Sequence, residues 1–420
     1  MRGEVLEAAA AEAAKRGDTE RKPKALIIGP LPPPYQGMSI FTRQLLASEV
    51  LRGSYELVHL DTADRRTAEN MGRFDLTNVV LALRHAAGLV RLLLRHRPEI
   101  VYVEVSQNTW AYVRDAVFIY LAHGFGSRVV AHLHGSYFRE FYEGASWWCR
   151  WLVRSTSRRL AAAAVLGPGL RRIYEGLVPE ERIHTVPNGI ADPYGGGEVR
   201  GGVREDGGRK ELTVLYLGML FEPKGFLDLL RAAGEFRGSE PRVRFVFAGE
   251  WFSERERREA ERVAVELGLG GVEVVPRGAG LTQGEGDVVQ SGVGGEFVSF
   301  VGRVDGAAKW ELLASADIFV FPGYQPEGLP LVILEAMAAG IPVVTTDTGA
   351  IRDVVVDGVT GLVVGKRDPA GLAAAIRRLV DSPELRAELG RAGRARYLAE
   401  FTEERCAGRL VALFDQVRKG

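Results

Sequence analysis

Short apolar runs alternate with helical patterns along almost the whole chain. In the first half they are ALIIG from Ala25, ELVHL from Glu56, IVYVEV from Ile100, RVVAHLH from Arg128, AAVLG from Ala163 and IHTVP from Ile183. The runs are continuous rather than alternating, as strands buried on both faces of a parallel sheet require. Helical stretches such as Asp75–Arg97 and Ser146–Arg159 lie between them. Strand, helix and strand in repetition predict right-handed crossovers and a doubly wound sheet.

The pattern then breaks and restarts. The stretch Tyr194–Arg209 is rich in glycine and charge and has no periodicity, so it reads as a linker or loop. After it come LTVLYLG, RVRFVFAGE, EFVSFVG, DIFVFPG, PVVTT and GLVVG, each followed by helix or loop, and from Asp368 onward the chain is helical. A second Gly-rich interruption, Arg277–Gly295, reads as an insertion loop. The expected fold class is α/β, with two Rossmann-like doubly wound domains facing each other across a cleft. The expected boundaries are a tail at 1–23, a first domain at 24–194, a linker at 195–210, a second domain at 211–385 and terminal helices at 386–420. Ligands of such sheets bind outside the carboxyl ends of the strands, so function is sought in the loops that follow strands.

Composition narrows the class without choosing it. A chain of 420 residues exceeds one compact core. Its 54 basic and 54 acidic residues cancel, which argues against a nucleic-acid binder. Two distant cysteines, Cys149 and Cys406, suit neither a disulfide framework nor a zinc site, and a reducing cytoplasm is the simplest setting. The N-terminal stretch has no apolar run of signal-peptide length, and LALRHAAGLVRLLLR, interrupted by three arginines and a histidine, reads as an amphipathic helix rather than a membrane span.

The richest motif is Pro326–Asp347, PEGLPLVILEAMAAGIPVVTTD. A strand ends in a loop holding Glu327, Gly328 and Leu329, and a helix opens at about Pro330. Unpaired N–H groups at such a helix start suit a diphosphate, and a glycine lets backbone approach it. Glu335 stands among apolar neighbours, where a carboxylate must find hydrogen-bond donors. Eight helical residues would separate the two carboxylates by about 12 Å, the scale of a sugar and a ribose joined by a diphosphate. A solvent-facing Glu335 and a capping Glu327 are the plainer alternative.

Glu, seven residues, Glu in this setting resembles the signature of family 4 of the retaining GT-B glycosyltransferases, and the resemblance runs from about Lys24 to the C-terminus. It implies that Glu327 contacts the donor sugar, that Glu335 holds ribose hydroxyls, and that the amides of Gly328 and Leu329 meet the sugar and phosphates. Gly302 and Val304, at and just past the run EFVSFVG, join the donor-binding set. At Gly218-MLFEP-Lys224-Gly225 the family pattern has two cations for the diphosphate. Lys224 matches one, while Met219 stands where arginine is usual. In ALIIGPLPPPYQGMSIF, Gly37 matches the second glycine of the family's N-terminal loop and Gln36 replaces the first.

His132 and His134 share one face of a strand. The resemblance places His134 beside the donor sugar as a catalytic residue with Glu327, while His132 reads as core. Asn188 and Gly189 match a Pro-Asn-Gly turn of architectural character. SWWCRWLVRSTSRRL suits either a membrane-surface face or core packing with a solvated cationic edge. The resemblance therefore implies an N-terminal acceptor domain, a C-terminal nucleotide-sugar domain and final helices that cross back to the first. It implies a retaining transfer, of the kind used in polysaccharide biosynthesis, with no cofactor and no metal. The partners are a nucleotide-sugar donor, a sugar or lipid-linked acceptor and peripheral membrane contact at the inner face, with no nucleic acid. An epimerase or phosphorylase on the same architecture, and a non-catalytic donor-binding homologue, are the alternatives.

Overall fold

The structure, a computed structural model, describes residues 22–33, 37–65, 76–197, 199, 211–239, 242–269 and 297–420. The tail up to residue 21, Gln36, most of the 195–210 linker and the whole 277–295 interruption lie outside the described residues. Two compact units divide after Ala191. The first also takes Pro326–Leu329 and Phe401–Gly420, and the second holds Asp192–Gln325 and Pro330–Glu400.

The first unit is built on β1 (Lys24–Gly29), β2 (Glu56–Asp61), β3 (Ile100–Glu104), β4 (Arg128–Leu133), β5 (Leu160–Val165) and β6 (Ile183–Thr185). They form one parallel sheet in the order β2-β1-β3-β4-β5-β6. Every position of β3 is buried, which is why its sequence shows no alternation. Helices α1 (Gly37–Ala47) and α2 (Glu49–Ser54) follow β1, α3 (Leu76–His96) follows β2, α4 (Thr109–Gly124) follows β3, and α5 (Phe138–Gly144) and α6 (Trp147–Ser157) follow β4. Side chains of Ser48 and Asn108 cap α2 and α4, accepting from the amides of Leu51 and Ala111. Helix α3 packs on α4, and α4 on α6. The strand order reverses between β1 and β3, so the loops after these two strands diverge and leave a crevice between them.

The second unit repeats the scheme with a different order. Its elements are β7 (Glu211–Leu217), α7 (Phe226–Ala233), β8 (Arg242–Ala248), α8 (Glu254–Glu266), β9 (Val298–Gly302), α9 (Gly306–Ser315), β10 (Ile318–Phe321), α10 (Leu331–Ala338), β11 (Val343–Thr346), α11 (Ile351–Val354), β12 (Gly361–Val364), α12 (Pro369–Asp381) and α13 (Pro383–Glu400). The parallel sheet runs β9-β8-β7-β10-β11-β12, the strand order of a dinucleotide-binding fold, with its switch point between β7 and β10. Helix α10 is apolar nearly all round and buried from Ile333 to Ala338, so it belongs to the core of this unit.

The last helix, α14 (Glu403–Lys419), completes the first unit. Thr402 caps it, and its Leu410, Leu413, Phe414 and Val417 join Phe41, Leu51 and Tyr102 in one apolar cluster. Burying side chains of this size contributes about 1.5–3 kcal/mol each, so the first unit depends on residues more than 200 positions away. A Cβ on Gly189 would stand 2.4 Å from the Thr402 carbonyl, so the Pro-Asn-Gly turn needs glycine for this helix to dock.

Candidate functional site

At the switch point of the second unit, the loop after β7 meets the loop after β10. Lys224 ends a short 3-10 turn, and Gly225 follows with φ 80°, a conformation that favours glycine. A Cβ there would also lie 2.2 Å from the Pro322 carbonyl. The Lys224 ammonium stands 5.8 Å over the ring of Phe321, at the end of β10. Amides of Tyr324 and Gln325 donate to the Pro223 carbonyl at 3.0 and 3.3 Å, which ties the two loops together. Met219 lies on the same loop, over a third exposed, and its carbonyl accepts from the Tyr216 hydroxyl at 2.9 Å.

Glu335 is 8% exposed on α10 and accepts from Lys309 of α9 at 2.7 Å. The donor that an apolar burial demands is therefore this ammonium. Helix α10 begins at Leu331, with Pro330 extended before it. Glu327 lies outside the helix, so the eight-residue interval to Glu335 is half loop, and the helical span assumed from sequence does not hold. Gly302 ends edge strand β9 with φ 71°, its carbonyl taken by the Gly249 amide at 2.7 Å, and Val304 is half-buried two residues on. Both stand at the sheet edge, one strand removed from the switch point.

In the first unit the histidines sit in a closed network. His132 is fully buried. Its Nε2 faces the Val186 carbonyl at 3.0 Å, and its Nδ1 faces the Tyr102 hydroxyl at 2.7 Å. His134 places Nδ1 3.2 Å from Asn188 Oδ1 and Nε2 3.3 Å from the same Tyr102 hydroxyl. Asn188 Nδ2 donates to the Leu329 carbonyl at 2.9 Å, which turns its oxygen toward His134. The bonds are consistent with Nε2–H on His132 and Nδ1–H on His134. Desolvation lowers both histidines, His132 well below the usual range and His134 to about 4, so both are neutral at neutral pH.

Pro326–Leu329 packs into this network. A Cβ on Gly328 would lie 1.9 Å from the His134 carbonyl, so no other residue fits without moving the chain. Leu329 is buried and Glu327 half-buried. Thus His134, Gly328 and Leu329 come together through Asn188, which the sequence presents as architectural. Gly37, the first residue of α1, is exposed, and a Cβ there meets nothing within 4 Å. Sequence reasoning reaches neither Lys309 nor Tyr102. The only signal for Lys309 is the need of a buried Glu335 for a donor. Among the described residues, no group of three or more His, Cys, Asp and Glu side chains is placed to hold a metal.

Two doubly wound parallel sheets, one in dinucleotide-binding order, define the GT-B class. Solved structures agree on the fold. A glycosyltransferase from Rickettsia africae matches with TM-score 0.68 at 14% identity, over 96% of this chain and 100% of that one. Anabaena HepE, solved in complex with UDP, matches with TM-score 0.66 at 17% identity, over 94% and 100%. Residues 294–396 match the family described as glycosyl transferases group 1, and residues 38–189 match the glycosyl transferase 4-like domain. Both matches are to families of glycosyl transferases, one in each half of the chain. It is 28% identical to a glycogen synthase of Mycobacterium tuberculosis over 279 residues, 64% of this chain and 56% of that protein. It is 31% identical to a phosphatidyl-myo-inositol mannosyltransferase of Mycolicibacterium smegmatis over 180 residues, 43% and 39%. The matched stretch thus spans about half of the first relative's length, and less of the second's.

Proposed function

We propose that this chain is a glycosyltransferase that moves a sugar from a nucleotide-sugar, read as a UDP-sugar, to a glycan, lipid-linked or small-molecule acceptor. Glu335 carries the reading. It is a carboxylate buried on an apolar helix beside the switch point of a dinucleotide-type sheet, paired with Lys309. Two carboxylate oxygens suit two vicinal ribose hydroxyls, and Lys309 offsets the charge. Lys224 supplies a cation for the diphosphate, and Gly302 and Val304 give backbone to the nucleoside. Gly328 and Leu329 present main chain to the donor sugar, with Glu327 and His134 beside it. The names of the two relatives, and the UDP bound to the Anabaena structure, favour the same chemistry.

In this reading the configuration at the donor carbon is retained. The bond to the diphosphate breaks as the acceptor oxygen bonds on the same face, and the departing diphosphate takes the acceptor proton. No side chain serves as nucleophile, and no metal is needed. The protein contributes position and charge stabilisation. UDP should be released only when acceptor is present, activity should survive EDTA, and NMR of the product should show the donor's anomeric configuration. Release without acceptor, or an inverted product, contradicts the reading.

We propose also that the first unit rests peripherally on an anionic membrane. Helices α3, α4 and α6 turn apolar side chains outward, among them Val80, Leu83, Leu94, Trp110, Trp147 and Trp151. Six exposed arginines lie among them, Arg84, Arg91 and Arg95 on α3 and Arg150, Arg154 and Arg158 on or just after α6. The sole acid of the three helices, Asp115, is buried against Arg114. The stretch Thr77–His96 is long and apolar enough to cross a bilayer and little of it is buried, yet its Leu89 and Leu93 are buried in this unit. Each arginine near an anionic surface contributes about 1 kcal/mol. Phosphatidylglycerol vesicles should sediment the protein at low salt, less at high salt, and fail with a Trp147→Ala/Trp151→Ala variant. Absence of binding at low salt contradicts this docking.

A further inference from the structure

Glu335 sits on a buried helix, but its partner is less firmly placed. Lys309 stands in the half of α9 that carries no buried residue. Leu313 is the one fully buried side chain of that helix, and Asp305 before it makes no side-chain cap. A helix with few core contacts and no cap lies at the low end of local stability. Lysine is also a compact charge on a flexible four-carbon stem. Neither helix nor stem by itself fixes the ammonium 2.7 Å from Glu335 Oε1.

A run of contacts through the next residue does so. The ammonium stands 5.3 Å over the ring of Trp310, whose face attracts a cation. Trp310 in turn meets Tyr194 edge to face, with centroids 6.0 Å apart and planes at 81°. Tyr194 lies in the irregular segment with which the chain enters the second unit at Asp192. That segment is clamped. Asp192 accepts from the amides of Tyr194 and Gly196 at 3.1 and 2.5 Å. It also takes both ends of the Arg394 guanidinium, from α13, at 2.7 and 2.9 Å. Arg394 donates to the Gly197 carbonyl at 3.1 Å and lies 5.7 Å over the Tyr194 ring. It is 6% exposed, so the fork is a fixture of the interior rather than a screened surface pair. The Tyr194 hydroxyl is buried without a partner, so the position uses the ring. All of these residues belong to the second unit.

The terminal torsion of a glutamate is broad, so a bond to one oxygen decides where the other points. We propose that Tyr194 and Trp310 are positioning residues for nucleotide binding. Clamped by Asp192 and Arg394, they hold Lys309 where it turns the Glu335 carboxylate toward the ribose. The inference rests on the ribose reading of Glu335, and the test separates the two. Calorimetry with the full chain compares UDP with 2′,3′-dideoxy-UDP, which lacks both ribose hydroxyls. The wild type should prefer UDP by about tenfold or more. Trp310→Leu should weaken UDP about tenfold and leave the dideoxy ligand within about twofold. Trp310→Phe keeps an aromatic face and should bind UDP within about threefold of the wild type. Tyr194→Leu should act as Trp310→Leu does, whereas Tyr194→Phe, which keeps the ring, should not. Equal loss of both ligands in Trp310→Leu marks a merely structural role and overturns the proposal. So does a Trp310→Phe variant as weak as Trp310→Leu, or a Trp310→Leu variant that keeps the preference for UDP. A Tyr194→Leu variant that binds UDP as the wild type does overturns the part given to Tyr194. If the wild type itself binds both ligands alike, the ribose reading of Glu335 has failed instead.

Discussion

The two units share an architecture and differ in the chemistry at their switch points. In the second, charged groups are set in an apolar frame: Glu335 against Lys309, and Lys224 above Phe321. In the first, three groups, His132, His134 and Glu104, are held neutral, beside a buried ion pair of Asp115 with Arg114. His132 and His134 are lowered, and Glu104 is raised, each chiefly by desolvation. The difference matches what the proposed function asks of each end. A nucleoside diphosphate brings charge and rewards a matched cation, whereas a hydroxylated acceptor brings none and rewards dipoles. One fold scheme therefore carries two kinds of local chemistry, set by a few residues at strand ends.

The comparison is tested hardest at Glu335. Its replacement by alanine removes two charge-assisted bonds to ribose, each worth about 1.5–3 kcal/mol, and should weaken UDP itself by about a hundredfold or more in calorimetry. A variant that binds UDP as well as the wild type would place the ribose elsewhere. Next comes Lys224→Ala, which removes one charged bond and should cost about ten- to a hundredfold in donor use. Adding Met219→Arg on the same loop should recover part of that, because a guanidinium can reach two phosphate oxygens. If the arginine brings no rescue, another cation already serves the diphosphate.

The smallest effect concerns the neutral end and is read as stability. Glu104 ionises near 4.5 when unfolded and about 8 when folded, so its contribution is full below pH 4.5 and is lost as pH rises toward 8. The neighbouring charges oppose each other, Asp115 raising and Arg114 lowering the carboxyl, and the Thr42 bond also lowers it. The histidines act in the opposite window, since the unfolded chain gains protons below about 6.5 that the folded chain takes up only near 4 and below. Glu104→Gln should therefore melt higher than the wild type at pH 8.5, by about 2–4 °C for each kcal/mol recovered, and the gap should shrink by pH 5. A gap independent of pH would show that Glu104 ionises freely in the folded protein.

Much was legible in the chain itself. Among the described residues the strands lie on the apolar runs read from the sequence, and those buried along their whole length, such as β3 and β10, lack alternation because burial on both faces favours apolar residues. The carboxylates of Pro326–Asp347, and Lys224 opening a helix after a strand, stand out for the same reason, as polar groups at the edge of apolar runs. What the sequence left open depends on contacts between distant segments. Local spacing makes Glu335 need a donor, but only folding brings Lys309 to it from 26 residues away. The pattern puts His132 and His134 on one face, but their protonation is set by Tyr102, Val186 and Asn188, which arrive from other strands and turns. Glu104 reads as one polar letter inside a strand, and its surroundings are set where the loops after the paired strands β1 and β3 diverge at the reversal of strand order. Periodicity reports which face a residue takes. Partners, desolvation and cavities come from packing, and those the tertiary structure alone decided.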